Sequence, residues 1–148
     1  MNQTPAQTPM AAYRDLIASA EIEADPAQRL ALEKLQLLHS RLERYDPRPA
    51  GWAGLFRRRR NDPPPQGLYL FGEVGRGKTM AMDLFFATAP LARKRRTHFH
   101  AFMREVRERI NRFRSLPEAA RDGDDPIPPI AAEIAAEAWL LCFDELEV

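Results

Sequence analysis

The strongest constraint on this chain is a glycine-rich stretch of eight residues: Gly72, Glu73, Val74, Gly75, Arg76, Gly77, Lys78 and Thr79. It fits the pattern G-x-x-x-x-G-K-T, in which backbone N–H groups of a loop surround phosphate oxygens. The pattern predicts that Lys78 reaches the β- and γ-phosphates of a nucleotide and that the Thr79 hydroxyl coordinates Mg²⁺. We therefore expect this stretch, the phosphate loop, to bind a nucleotide.

The residues on either side of the phosphate loop fit this interpretation. Residues 67–71 form an uncharged apolar run, which predicts a buried parallel strand. Residues 80–87 predict a helix that ends near Pro90, and its N-terminus would add positive potential at the loop. A strand, a phosphate loop and a helix in this order predict an α/β fold with the parallel sheet of a P-loop NTPase.

A second signal lies at residues 138–145, where large apolar residues precede Asp144 and Glu145. The run predicts a buried strand, and ligands of open α/β sheets bind at the carboxyl ends of such strands. Asp144 would hold Mg²⁺, through water, together with Thr79, and Glu145 would polarise an attacking water. Adjacent Asp and Glu favour ATP hydrolysis over GTP hydrolysis. They also disfavour a kinase, which has no water to activate.

The N-terminal quarter predicts helices. Residues 11–20 fit a short helix, and a longer one starts after Asp25, with Pro26 at its first position and Gln28 as the partner in a capping box. An apolar stripe lines one face of the longer helix: Ala31, Leu35, Leu38, Leu42 and Tyr45. We expect a helical hairpin packed on a core. A second interpretation stays open, in which Asp25 or Gln28 approaches a bound base.

Between the two signals, residues 97–99 predict a second strand that runs into a helix. Four residues give this helix an apolar stripe: Phe102, Val106, Ile110 and Phe113. Five arginines, at positions 104, 107, 109, 112 and 114, give it a basic surface. This surface is either a partner site or a solvated face balanced by the acidic residues after Asp122. With three histidines and one cysteine in the chain, we expect no metal centre at His98 and His100.

The composition excludes several classes of protein. With 148 residues, 45% apolar and 29% charged, the chain has the profile of one soluble globular domain. Its net charge of +1 identifies no acidic or basic partner. The single cysteine, Cys142, excludes an internal disulfide and fits a reducing compartment. Because the sequence has neither a signal peptide nor an apolar run of about 18 residues, we expect a cytoplasmic protein.

Clusters of proline divide the chain into three parts. Residues 1–50 are expected to form the helical segment, residues 51–66 a basic, proline-rich linker, and residues 67–148 the nucleotide-binding part. Four consecutive arginines, at positions 57–60, lie in the linker. They have no interleaved aromatic residues on which bases would stack, so nucleic acid is not an expected partner.

Taken together, the motifs resemble those of the ZapE family of AAA-type ATPases. The matching segments are G-L-Y-L-F-G-x-V-G-R-G-K-T-M with M-D-L-F-F after it, D-x-x-Q at 25–28, H-F-H-x-F-M at 98–103 and L-L-C-F-D-E at 140–145. The resemblance implies an ATPase with ATP and Mg²⁺ as ligands that acts at the bacterial division site. It also implies a division-ring protein as a candidate partner, and a peripheral location at that site. Self-association is a further candidate, since unpaired sheet edges invite it. For mitochondrial relatives the resemblance implies a role in protein quality control.

The resemblance also implies that part of the domain is missing from these residues. Family members continue well beyond the Asp-Glu pair, and AAA-type sheets order their strands 5-1-4-3-2. This sequence supplies strands one, two and three, so we expect an incomplete sheet and a C-terminally truncated domain without its sensor, arginine finger and helical lid. We expect such a chain to be marginally stable, prone to associate and incompetent for hydrolysis by itself. The alternative to an enzyme is a nucleotide-responsive module that binds a partner through its basic segments.

Overall fold

A computed structural model describes residues 7–46, 63–72, 77–120 and 123–146. The elements are helices α1 (Pro9–Ala18), α2 (Pro26–Leu42) and α3 (Lys78–Thr88), strand β1 (Lys94–His98), helix α4 (Phe99–Ser115), a 3₁₀ turn (Glu118–Ala120), helix α5 (Ile127–Glu137) and strand β2 (Leu140–Asp144). They form two compact units, one up to Leu91 and one from Ala92 onward. Most of the expected linker at 51–66 and positions 73–76 of the phosphate loop lie outside the described residues.

The first unit packs α1, α2 and α3 against one another. The predicted start of α2 is confirmed: Asp25 is its N-cap, and its carboxylate accepts from the N–H groups of Ala27 and Gln28. The core of the unit consists of Ala12, Tyr13, Leu32, Leu35, Leu38, Leu42, Ala81 and Phe85. Leu35, Leu38 and Leu42 of the predicted apolar stripe are buried as expected, whereas Ala31 is half-buried and Tyr45 is half-buried beyond the end of α2.

One of the two hydrogen bonds of the predicted capping box, from the Asp25 N–H to the Gln28 side chain, is wrong. The Asp25 N–H donates to the Tyr13 hydroxyl over 3.1 Å, and this hydroxyl lies 3.4 Å from the Asp25 carbonyl oxygen that accepts from it. Tyr13, which is 2% exposed, thus takes the place that the capping box gives to Gln28. The Gln28 side chain is turned elsewhere, toward the phosphate loop.

The predicted strand at residues 67–71 is also wrong. Residues 63–72 contain neither helix nor strand, and Phe71 is 83% exposed. The rings of Tyr69 and Phe71 stack at 6.2 Å instead of entering a core. A strand requires a partner for its backbone groups. In the expected order 5-1-4-3-2, this segment is strand one and pairs with strands four and five. Both come after the Asp-Glu pair in sequence.

The second unit contains a two-stranded parallel sheet of β1 and β2. Lys94 lies opposite Leu140 and His98 opposite Asp144, so both strands end at the same edge. The predicted strand at 138–145 is confirmed as β2. The strand predicted at 97–99 starts earlier, at Lys94, and ends at His98, where α4 begins. The two strands are adjacent, as expected for strands two and three of the 5-1-4-3-2 order.

Helices α4 and α5 pack together, and α4 also contacts β1. Phe102 and Phe143 lie with their ring centroids 4.8 Å apart, joining α4 to β2. Pro128 and Pro129 lie in the first turn of α5. At that position a missing N–H costs no helical hydrogen bond. In the described part of the chain, no helix is both long enough and apolar enough to cross a membrane.

Candidate functional site

The described end of the phosphate loop leads directly into α3. Gly77 is the N-cap and has a left-handed conformation, φ +75°, which favours glycine. Because Gly77 has no side chain, no side-chain oxygen accepts from the first N–H groups of α3. These N–H groups point out of the helix N-terminus, where a ligand could accept from them. The Lys78 ammonium donates to the Gly72 carbonyl oxygen over 2.7 Å. This hydrogen bond connects the first residue of α3 to the first residue of the phosphate loop. This arrangement suits an anion such as a phosphate group.

Gln28 of α2 lies against Gly77. A Cβ added to Gly77 would stand 2.5 Å from Gln28 Nε2 and 2.7 Å from Gln28 Cδ. The Gln28 Oε1 atom is buried and has no hydrogen-bond partner in the described part of the chain. The Asp25 carboxylate, by contrast, is occupied by the cap of α2. Of the two residues considered for contact with a base, Gln28 is therefore the one that the structure places beside the phosphate loop.

In the second unit, Asp144 ends β2 in an ion pair with Arg96 of β1. The Arg96 Nε lies 2.8 Å from Asp144 Oδ2, and Arg96 Nη2 lies 3.1 Å from Asp144 Oδ1. Their side chains are 25% and 18% exposed, so the pair is mostly shielded from water. The hydrogen bonds to Asp144 raise the pKa of Arg96 above its ordinary value.

Glu145 follows Asp144 in a left-handed conformation, φ +56°, which is unusual for a residue with a side chain. Residues with such backbone strain cluster at active sites and ligand-binding segments, although Ala20 after α1 has a similar φ of +58°. The Glu145 carboxylate is 71% exposed, and its Oε2 lies 3.8 Å from Nδ1 of His98. The two carboxylates predicted to act in hydrolysis therefore each face a nitrogen-bearing side chain of β1.

Sequence reasoning did not identify Arg96 as the partner of Asp144. The signal was present in the alternation of side chains along a strand. Arg96 and His98 lie on the same side of β1, and the parallel register brings that side to the end of β2. The predicted strand at 97–99 does not include Arg96, so the pairing could not be inferred without the observed bounds of β1, Lys94–His98.

The basic surface of α4 is partly neutralised within the second unit. Arg109 bonds to Glu105, Glu133 and Glu137. Arg95 of β1 forms a two-pronged ion pair with Glu105. The hydrogen bonds from Arg95, with those from Arg109, lower the pKa of Glu105 to about 2. The balance by acidic residues proposed for this surface is thus present at Arg109.

The residues present fit a magnesium ion held jointly with a nucleotide. Among the residues that the structure describes, no three or more His, Cys, Asp or Glu side chains cluster closely enough to hold a metal. Mg²⁺ in nucleotide enzymes needs only one or two protein oxygens, since phosphates and water supply the other ligands. The Thr79 hydroxyl of the first unit and the Asp144 carboxylate of the second unit are each an oxygen donor of this kind.

Comparison with known proteins decides the family. The family model described as "AFG1-like ATPase" matches residues 7–148. The chain belongs to the AFG1-like ATPase family. The α/β fold is accordingly that of a P-loop NTPase, and the resemblance to ZapE-type ATPases is confirmed.

The relatives differ in how much of this chain they match. The chain is 35% identical to "Cell division protein ZapE" of Escherichia coli over 150 residues, covering 95% of this chain and 38% of that protein. It is 48% identical over 89 residues to "Lactation elevated protein 1 homolog B" of Danio rerio, covering 57% of this chain and 18% of the relative. "Uncharacterized protein C115.02c" of Schizosaccharomyces pombe is 33% identical over 169 residues, covering 95% and 37%. No solved structure gives a significant match.

The chain thus spans less than two fifths of the length of these curated relatives.

Proposed function

We propose that the protein binds ATP with Mg²⁺ at residues 72–79 and, within a complete AAA-type domain, hydrolyses the γ-phosphate bond. One observation carries the proposal: Gly77 opens α3 in a left-handed conformation while Lys78 reaches back to the Gly72 carbonyl oxygen. The N-terminus of α3, which would donate to phosphate, and the Lys78 cation, which would contact it, therefore support the proposal together. Membership of the AFG1-like ATPase family supports the reaction class.

Each residue has a specific part in this proposal. Lys78 exchanges its hydrogen bond to Gly72 for the β- and γ-phosphates, and the first amides of α3 donate to the same oxygens. Thr79 and Asp144 hold Mg²⁺, which neutralises charge between the phosphates when it is bound. Glu145 orients the attacking water and polarises its O–H bond. Its exposed carboxylate at the end of β2 is accessible to water.

We further propose a cytoplasmic role in cell division, peripheral at the division site, with a division-ring protein and self-association as partners. The support is the 35% identity to "Cell division protein ZapE" of Escherichia coli across 95% of this chain. The residues up to 148 are proposed to need the remainder of an AAA-type domain for turnover, because sensor and arginine-finger groups stabilise charge in the transition state. The alternative is a binding module in which hydrolysis is dispensable. The Glu145→Gln variant distinguishes it from an ATPase.

The test uses the full-length protein and measures ATP affinity by calorimetry and phosphate release in a turnover assay. Lys78→Ala should weaken ATP binding at least about tenfold, because it removes a charge-assisted contact to phosphate. Lys34→Ala, at an exposed position of α2, is the matched control and should bind like the parent. Glu145→Gln should keep ATP binding and lose most turnover. Equal affinity of folded Lys78→Ala and parent would refute nucleotide binding here, and unchanged partner binding in Glu145→Gln would favour the alternative.

A further inference from the structure

We propose that Arg96 is an internal counter-ion of Asp144 that positions this carboxylate and keeps its affinity for free Mg²⁺ low until a nucleotide arrives. The proposal rests on the proposed function, in which Asp144 holds the magnesium ion of the bound nucleotide. Arg96 acts through Asp144 and is a positioning residue. Its test measures metal binding without nucleotide, so it does not depend on turnover.

The geometry of the pair fixes the carboxylate in one orientation. Nε and Nη2 of Arg96 approach Oδ2 and Oδ1 of Asp144 at 2.8 and 3.1 Å, so both oxygens are held by one planar group. This fork-to-fork arrangement is specific to arginine. A carboxylate has about four lone-pair positions, so each oxygen keeps one for a further donor. Asp144 can therefore accept from a metal-bound water while Arg96 stays in place.

The charge of the pair explains why a metal would arrive with the nucleotide. The guanidinium is charged at every relevant pH, so the Arg96–Asp144 pair is neutral overall. With the two side chains only 25% and 18% exposed, water screens the guanidinium poorly from a cation at Asp144. Phosphate oxygens of ATP supply the negative charge that the pair lacks. Free Mg²⁺ is thereby disfavoured relative to MgATP.

The chain offers a matched control at the next position. Arg95 carries the same charge on the same strand, but its side chain pairs with Glu105 of α4 rather than with Asp144. It is 33% exposed, close to the exposure of Arg96. Removal of Arg95 changes the net charge of the protein equally and leaves the Asp144 pair intact.

The experiment titrates Mn²⁺ into nucleotide-free full-length protein and follows free Mn²⁺ by electron paramagnetic resonance. Arg96→Gln should bind Mn²⁺ about tenfold more tightly than the parent, because a unit charge near the metal is lost at a poorly screened site. Arg95→Gln should bind like the parent. Asp144→Asn combined with Arg96→Gln should abolish the gain. In parallel, the Mg²⁺ concentration that supports half-maximal ATP binding should fall in Arg96→Gln only.

Each outcome decides the proposal. Equal Mn²⁺ affinity of Arg96→Gln and Arg95→Gln overturns it, as does a gain that survives Asp144→Asn. If Arg96→Gln does not fold, Arg96→Lys against Arg95→Lys decides instead: the loss of one prong should tighten Mn²⁺ binding about threefold in the first variant only. A parent that binds no ATP refutes the proposed function, while the Mn²⁺ titration still reports on the pair.

Discussion

His39 joins α2 to the end of α3 by donating its Nε2–H to the Thr88 carbonyl oxygen over 3.0 Å. His39 is fully buried, with an exposed fraction of 0% for the whole residue. Carbonyl groups in the last turn of a helix lack partners within it, and His39 supplies one. A carbonyl oxygen can only accept, so the ring proton lies on Nε2. Because α3 follows the phosphate loop, this contact fixes the far end of the helix on which the loop depends.

We expect His39→Leu to lower the free energy of unfolding by about 2 kcal/mol, since the Thr88 carbonyl then loses its buried donor. The measurement is urea denaturation followed by circular dichroism. Glu43→Gln is the control, because Glu43 Oε1 lies 3.7 Å from His39 Nδ1 and its side chain is 46% exposed. This change should cost less than about 0.5 kcal/mol. Equal stability of His39→Leu and the parent would contradict the role given to the hydrogen bond.

The contact between Gln28 and Gly77 gives a second prediction. Gly77→Ala should destabilise the protein by about 1–2 kcal/mol, because its φ of +75° disfavours a side chain and its Cβ would stand 2.5 Å from Gln28 Nε2. In a Gln28→Ala background the same change should cost less, because the collision is removed. The measurement is a double-mutant cycle of unfolding free energies.

Gly123 provides the control for backbone strain in this cycle. It has a similar φ, +81°, but a Cβ added there would meet nothing within 4 Å. Gly123→Ala should therefore cost only the strain of the left-handed conformation, about 1 kcal/mol, with or without Gln28. If Gln28→Ala reduces the loss of unfolding free energy equally for both glycine variants, the close contact between Gln28 and Gly77 does not cause the effect.

Glu105 predicts how the second unit responds to acid. The hydrogen bonds from Arg95 and Arg109 hold its folded pKa at about 2, below the ordinary value of 4.5. A lowered carboxyl pKa stabilises the fold above the unfolded pKa, and this contribution is lost as pH falls from about 4.5 toward 2. Glu105→Gln should lower stability by about 1–2 kcal/mol at pH 7 and by much less at pH 2. A pH series of thermal unfolding checks this, and a loss that is the same at both pH values would contradict it.

Local signals in the sequence predicted the parts of the fold that depend on neighbouring residues. Asp25 with Pro26 marked the start of α2, since a carboxylate cap and an N1 proline act within one turn. The apolar run before Asp144 marked β2 correctly. The two carboxylates were likewise placed together at the end of a strand. Such features require no knowledge of what the segment packs against.

Features that depend on distant residues could not be read in the same way. Residues 67–71 have the composition of a strand, but a strand forms only where its backbone groups find a partner. Burial of His39 and the pairing of Arg96 with Asp144 likewise depend on contacts across 49 and 48 residues of sequence. Pro128 and Pro129 lie in a helix because proline, which breaks a helix in its interior, is accepted in the first turn. The phosphate loop could be predicted from the sequence because its chemistry is local.

The exposed aromatic segment before the phosphate loop gives the last prediction. Leu68, Tyr69 and Phe71 are 43%, 49% and 83% exposed, an apolar patch of the kind that promotes association. We expect the chain of residues 1–148 to self-associate at micromolar concentration, and Phe71→Ser to reduce this association, as measured by light scattering after size-exclusion chromatography. Leu30→Ser is the control, since Leu30 is 56% exposed on α2, away from this segment in sequence. A parent chain that stays monomeric, or equal association in both variants, would show that the segment does not drive association.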